Sequence, residues 1–172
     1  MLCGCKQSHL QKANKLYNKR DFQEALFHYE QACLEGEIFA CKMTATLYQE
    51  DKHNIPSSKA KALKALESAC SYGDLPSCKI VYKAYTLLNL KDLTQKTLHY
   101  SCKGGEATSC LKLAQKLYSP KNFQQSLDLA TKACYGGSER GCKLAIVLTQ
   151  RFKPPTSNLK GLEKQLKLLL QS

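Results

Sequence analysis

One phrase, C-x2-G-x4-C, occurs four times: "ACLEGEIFAC" (32–41), "ACSYGDLPSC" (69–78), "SCKGGEATSC" (101–110) and "ACYGGSERGC" (133–142). Every cysteine in it follows an alanine, serine or glycine. The first cysteines stand 37, 32 and 32 residues apart, a period that belongs to stacked helical hairpins. In one unbroken helix, residues eight apart lie about 80° apart around the axis and about 12 Å along it. Their sulfurs could not meet, because a disulfide needs Cα atoms within about 7 Å. The glycines resolve the conflict. Gly36, Gly73, Gly105 and Gly137 each stand three residues past a first cysteine, where a left-handed residue ends a helix. The chain then reverses, and the second cysteine falls in the first turn of an antiparallel helix.

The expected bridges are therefore Cys33–Cys41, Cys70–Cys78, Cys102–Cys110 and Cys134–Cys142. Two alternatives stand beside them. Eight free thiols could serve as small core hydrophobes in a reducing compartment. Zinc is the other, but its ligand pairs are separated by two to four residues, and the four histidines do not follow the repeat. No C-x-x-C redox motif occurs, and neither a metal nor a cofactor is expected. Disulfides imply an oxidising compartment, outside the cytosol.

The flanks predict an all-α chain. Eight residues before the first cysteines stand Ala25, Ala62, Thr94 and Ser126, small enough for close helix approach, with Leu26, Leu63, Gln95 and Leu127 next to them. Asp21-x-x-Glu24, Asp92-x-x-Gln95 and Asn122-x-x-Gln125 read as helix starts, each offering a side-chain oxygen to unpaired amides. A first helix is expected over His9 to Lys19. Pro154 and Pro155 stop the last repeat, Ser157 opens a final helix, and Leu159, Leu162, Leu166 and Leu169 mark its inner face. The expected organisation is a short N-terminal segment (1–8), an α–α solenoid of about four stapled hairpins (9–152) and a capping helix (153–172). Tyr48, Tyr85 and Tyr118 recur near the ends of second helices and are expected in the core.

"MLCGCKQS" (1–8) ends like a bacterial lipoprotein signal, with Cys5 as the acylated residue, although the charged and apolar regions of a secretory signal are missing. No apolar run is long enough for a transmembrane helix. The net charge of +12 is scattered along the chain and lacks any nucleic-acid reader signature. Lys42, Lys79 and Lys143 directly follow second cysteines, and Leu111-Lys112 takes that place in the remaining phrase. These four lysines form a candidate basic ladder for an acidic partner.

The pattern [AS]-C-x2-G-x3-[ASG]-C on helical pairs resembles the Helicobacter cysteine-rich protein family, secreted disulfide-bridged members of the Sel-one-like repeat class. The resemblance spans about residues 10–150. It implies a helical-repeat fold and, as a possible activity, weak beta-lactam hydrolysis or penicillin binding. Ser58-x-x-Lys61 and Ser109-x-x-Lys112 match one motif of serine beta-lactamases, but the partner motifs S-D-N and K-T-G do not occur. No catalytic residue is assigned. The functional expectation is a secreted or periplasmic scaffold that binds a protein, a peptide or an acidic envelope polymer, acts as a monomer, and is held by a lipid anchor at Cys5.

Overall fold

The computed structural model describes residues 7–50, 54–152 and 158–171. All regular structure among them is helical, in two compact units, 1–88 and 89–172. The first contains α1 (His9–Asn18), α2 (Phe22–Leu34), α3 (Ile38–Gln49), α4 (Lys59–Ser71) and α5 (Leu75–Leu87). The second contains α6 (Lys91–Lys103), α7 (Ala107–Lys116), α8 (Phe123–Tyr135), α9 (Glu139–Phe152) and α10 (Leu159–Leu170), with a 3₁₀ turn at Pro120–Asn122. Within each unit the helices pack on their chain neighbours, so that α2/α3, α4/α5, α6/α7 and α8/α9 are antiparallel hairpins. None of the described helices is long and apolar enough to cross a membrane.

Each repeated phrase is one hairpin turn, and a single residue there serves two helices. In the first, Gly36 has φ +98° and its amide bonds to Cys33 O at 3.0 Å, while the Glu37 amide bonds to Ala32 O at 3.0 Å. That pair of bonds is a Schellman closure, which satisfies carbonyls left over at the helix end. Glu37 then stands as the N-cap of α3. Asp74, Glu106 and Ser138 close their own turns with amide bonds to Ala69, Ser101 and Ala133. The small residue before each first cysteine is thus the acceptor of the closure, and it is buried in every case.

The S–S distances are 2.05, 2.05, 2.07 and 2.06 Å, in the pairs expected from the turn geometry. All eight sulfurs' residues are buried. Cys134 and Cys142 pack with Leu127, Leu148 and Leu162, so the staple is part of the apolar core.

The ends of unit 1 and unit 2 are closed differently. Helix α1 starts with a capping box between Ser8 and Gln11. It seats on α2 through a Tyr29 hydroxyl bond to Asn14 (2.8 Å) and a His9 Nδ1 to His28 Nδ1 contact of 2.9 Å. Helix α10 packs on α8 and α9. Its Leu162 is buried, and Leu166 and Leu169 lie against the core of unit 2 as expected. Asn158 caps it; Pro154, Pro155 and Ser157 lie outside the described residues, as do Cys3 and Cys5.

The expected acidic and amide caps are corrected by the structure. Asp21 and Asn122 are N-caps but make no side-chain cap bond. Asn122 has φ −114° and ψ 16°, well short of the extended backbone that presents a capping side chain. Helix α6 begins at Lys91 with Leu90 as N-cap, which leaves Asp92 inside the first turn. Side-chain caps form instead at Ser8, Ser58, Asp74, Ser138 and Asn158.

Candidate functional site

In unit 1 each hairpin carries a second link beyond its disulfide. Glu30 and Glu67 stand three residues before the first cysteines, and Tyr48 and Tyr85 seven after the second. The Tyr48 hydroxyl donates to Glu30 Oε1 at 2.6 Å, and the Tyr85 hydroxyl to Glu67 Oε2 at 2.7 Å. Both rings are buried, as expected for core tyrosines. Burial, together with the accepting carboxylate, pushes the Tyr48 hydroxyl up to about 12 and raises Tyr85 as well. Both therefore remain hydrogen-bond donors at neutral pH.

Tyr118 departs from the expectation. It is 41% exposed, because α7 ends at Lys116 and the tyrosine falls beyond it. Its hydroxyl accepts a bond from Arg151 at 2.9 Å.

The Glu30–Tyr48 pair forms one wall of a groove of about 300 Å³ between α2, α3 and α4. Leu34, Thr44, Lys61, Lys64 and Ala65 line the rest with the Cys33 side. On α4, Lys61, Lys64, Ala65 and Ser68 follow the i, i+3, i+4, i+7 spacing that places residues on one helix face. Lys61 Nζ lies 4.9 Å over the Tyr48 ring and 3.4 Å from its hydroxyl. Thr44 is 4% exposed and, among the described residues, its hydroxyl has no hydrogen-bond partner.

A cavity of the same size, about 300 Å³, lies in unit 2 between α8, α9 and α10. Three of its lining residues occupy equivalent sequence positions, Thr131 for Glu30, Tyr135 for Leu34 and Thr149 for Tyr48, whereas the position of Thr44 holds Ala145. Leu162 of α10 and its cap Asn158 stand where α4 contributes its lysines. Asp128 is the charged residue of this lining, and it accepts a 2.9 Å bond from Gln124. Thr149 is 4% exposed, and its hydroxyl also has no partner among the described residues. Neither groove was read from the sequence. The recurring offsets of Glu30/Tyr48 and Glu67/Tyr85 from their cysteines were the available signal.

The four lysines after the second cysteines are all exposed. Lys42 Nζ lies 3.7 Å from Asp74 Oδ1 in the next hairpin, and Lys143 pairs with Glu139 on its own helix. Leu111, which takes the equivalent place in the third phrase, is buried. Lys112 therefore stands one position out of step with the others. The charges of Lys42 and Lys143 are met within the protein.

The two serines matched to a beta-lactamase motif have structural partners. Ser58 caps α4 by accepting the Lys61 amide at 3.3 Å, while the Lys61 ammonium is turned to Tyr48. Ser109 is buried and donates to the Glu106 carboxylate.

No family profile matches the chain, and no curated protein matches it. Among solved structures it is similar to c5321, a protective antigen present in uropathogenic Escherichia coli strains displaying an SLR fold. There the identity is 13% and the TM-score 0.42, over 95% of this chain and 41% of that one. It is also similar to MamA, at 14% identity and a TM-score of 0.38 over 92% of each chain. The chain thus spans less than half the length of the first of these.

Proposed function

We propose that the protein is an extracytoplasmic, disulfide-stapled helical-repeat scaffold of a bacterial envelope. It binds a protein, a peptide or an acidic polymer in the grooves of its hairpins. One observation carries this reading: two cavities of about 300 Å³ share three lining positions of their hairpins, and each holds a buried threonine hydroxyl, Thr44 or Thr149, with no hydrogen-bond partner among the described residues. Buried polar groups are ordinarily bonded, so a hydroxyl left over in a cavity is a place for a ligand atom. The resemblance to the Helicobacter cysteine-rich family supports the same reading, as does the oxidising compartment that four bridges require. Lys42, Lys79, Lys112 and Lys143 add general attraction for an acidic partner, and Cys5 is the proposed point of lipid attachment.

The test is site-specific photo-cross-linking of the oxidised full chain in envelope extract. A benzophenone side chain at Ser68 in the first groove, or at Gln124 in the second, should give discrete products. The same group at Gln115, exposed on α7, should not. Equal labelling from all three positions would remove the scaffold reading.

A further inference from the structure

The two cavities share three lining positions but differ in charge, and that difference bears on the ligand. The unit 1 groove has two lysines against one carboxylate, Glu30. One oxygen of that carboxylate accepts the Tyr48 hydroxyl at 2.6 Å. Lys61 is oriented by the Tyr48 ring, and Lys64 is exposed one turn further along the same face of α4. An ammonium pair with a nearby free hydroxyl suits a carboxylate, which accepts from all three. The apolar side of the groove is equally defined. Leu34 is 72% exposed at its edge, and Ala65 and Cys33 are buried behind it.

We infer that this groove, within the scaffold reading on which the inference rests, takes an acidic peptide segment. The side-chain carboxylate of a glutamate or aspartate is received by Lys61, Lys64 and the Thr44 hydroxyl. A neighbouring aliphatic side chain covers Leu34 and Ala65. The unit 2 cavity, with Asp128 and no lysine in its lining, repels the same segment.

Amide-shift titration of the oxidised full chain tests this with three hexapeptides, all acetylated and amidated so that no terminal carboxylate is present. They are identical apart from glutamate, glutamine or lysine after a central leucine. The glutamate peptide should shift the amides of Leu34, Thr44 and Ala65 and leave that of Thr149 in place. It should bind about tenfold tighter than the lysine peptide, the scale of a desolvated charge contact. Lys64→Glu should weaken it by about tenfold. Thr44→Val should weaken it by a similar factor while raising the thermal midpoint, because it removes a buried hydroxyl that has no hydrogen-bond partner among the described residues. A merely structural Thr44 would move both in the same direction.

Equal binding of the glutamate and lysine peptides would overturn the charge assignment. Shifts confined to unit 2 would overturn the choice of groove. No shift at Leu34, Thr44 and Ala65 with the glutamate peptide would overturn the inference altogether. The scaffold reading stands or falls separately, on the cross-linking at Ser68 and Gln124.

Discussion

The hairpins of unit 1 and unit 2 share the same staple, but only those of unit 1 add a tyrosine–carboxylate bond between their helices. In unit 2 the equivalent positions hold His99 and Leu117, then Thr131 and Thr149. Neither pair can repeat the link. The Thr149 hydroxyl is unbonded among the described residues, and His99 turns to the Gln95 carbonyl of its own helix at 3.0 Å. The covalent bridge and the glycine turn set each hairpin, so the positions a turn or two away can change chemistry without loss of the fold. One unit uses them for a charged groove wall, and the other for a neutral one.

The largest expected effect comes from the bridges themselves. In the chain-entropy account, closing a loop this short contributes about 2.5 kcal/mol, so four bridges contribute on the order of 10 kcal/mol. That is comparable to the whole stability of an ordinary domain. Full reduction should therefore lower the melting temperature by tens of degrees. The comparison sharpens the prediction: unit 1 keeps its Tyr48–Glu30 and Tyr85–Glu67 bonds after reduction, at about 1.5–3 kcal/mol for each bond to a charged acceptor. Hydrogen exchange should show α6–α9 losing protection before α2–α5. Tyr48→Phe with Tyr85→Phe should erase that order. Simultaneous loss in the unaltered chain would show that the second link stabilises nothing.

A smaller effect separates the fourth hairpin from the other three. The residue before the second cysteine is Ala40, Ser77 or Ser109 in the first three and Gly141 in the last. The bridged Cα atoms lie 4.6, 4.6 and 4.7 Å apart in those three and 4.3 Å apart in the fourth. A Cβ on Gly141 would lie 2.7 Å from Ala133 Cβ and 2.9 Å from the Cys134 nitrogen. Both neighbours are fixed in the core of the hairpin, so neither can give way cheaply. Gly141→Ala should destabilise by about 1–3 kcal/mol, the usual range for overpacking. The reverse change, Ala40→Gly, should cost no more than about 1 kcal/mol through helix propensity. Urea midpoints measure both, and a neutral Gly141→Ala would mean that the fourth hairpin is no tighter than the rest.

These comparisons also show what the sequence made legible. The turn could be read because it is local and constrained: a glycine at C′, a small residue on each side, and two sulfurs that must meet. The inner face of α10 was equally plain from its leucine spacing. Caps at Asp21, Asp92 and Asn122 failed because a cap depends on one residue's backbone angles, and α6 starts one position before Asp92. Tyr118 was misplaced because it stands eight residues after Cys110, whereas Tyr48 and Tyr85 stand seven after their cysteines. That single step carries it past the end of α7. The partner of Lys42 lies in the next hairpin, where no local spacing could find it. Two buried threonines that line cavities look in the sequence like any other threonine.

The smallest expected effect concerns that inter-hairpin ion pair. Burial raises the Asp74 carboxyl, but bonds from the Ser77 hydroxyl and amide and the charge of Lys42 outweigh it, leaving the group below its ordinary value. A carboxylate depressed in the folded state contributes stability that is complete above the unfolded value, about 3.9. That contribution is lost as pH falls through the folded value. Lys42 is about half exposed (49%) whereas the Asp74 side chain is 13% exposed, so solvent screens the pair and its share is below about 1 kcal/mol. Lys42→Met should therefore lower stability by a few tenths of a kcal/mol at neutral pH in low salt. Below the folded value of Asp74, where the carboxylate is protonated in either protein, the difference should vanish. The equivalent change in unit 2, Lys143→Met, removes only an exposed pair within α9 and should leave helix-to-helix packing untouched. Amide exchange in α5 separates the two. Faster exchange at the N-terminal turn of α5 in Lys42→Met, with α7 and α8 unchanged in Lys143→Met, would place Lys42 between hairpins. Identical, purely local responses would reduce it to an ordinary surface lysine.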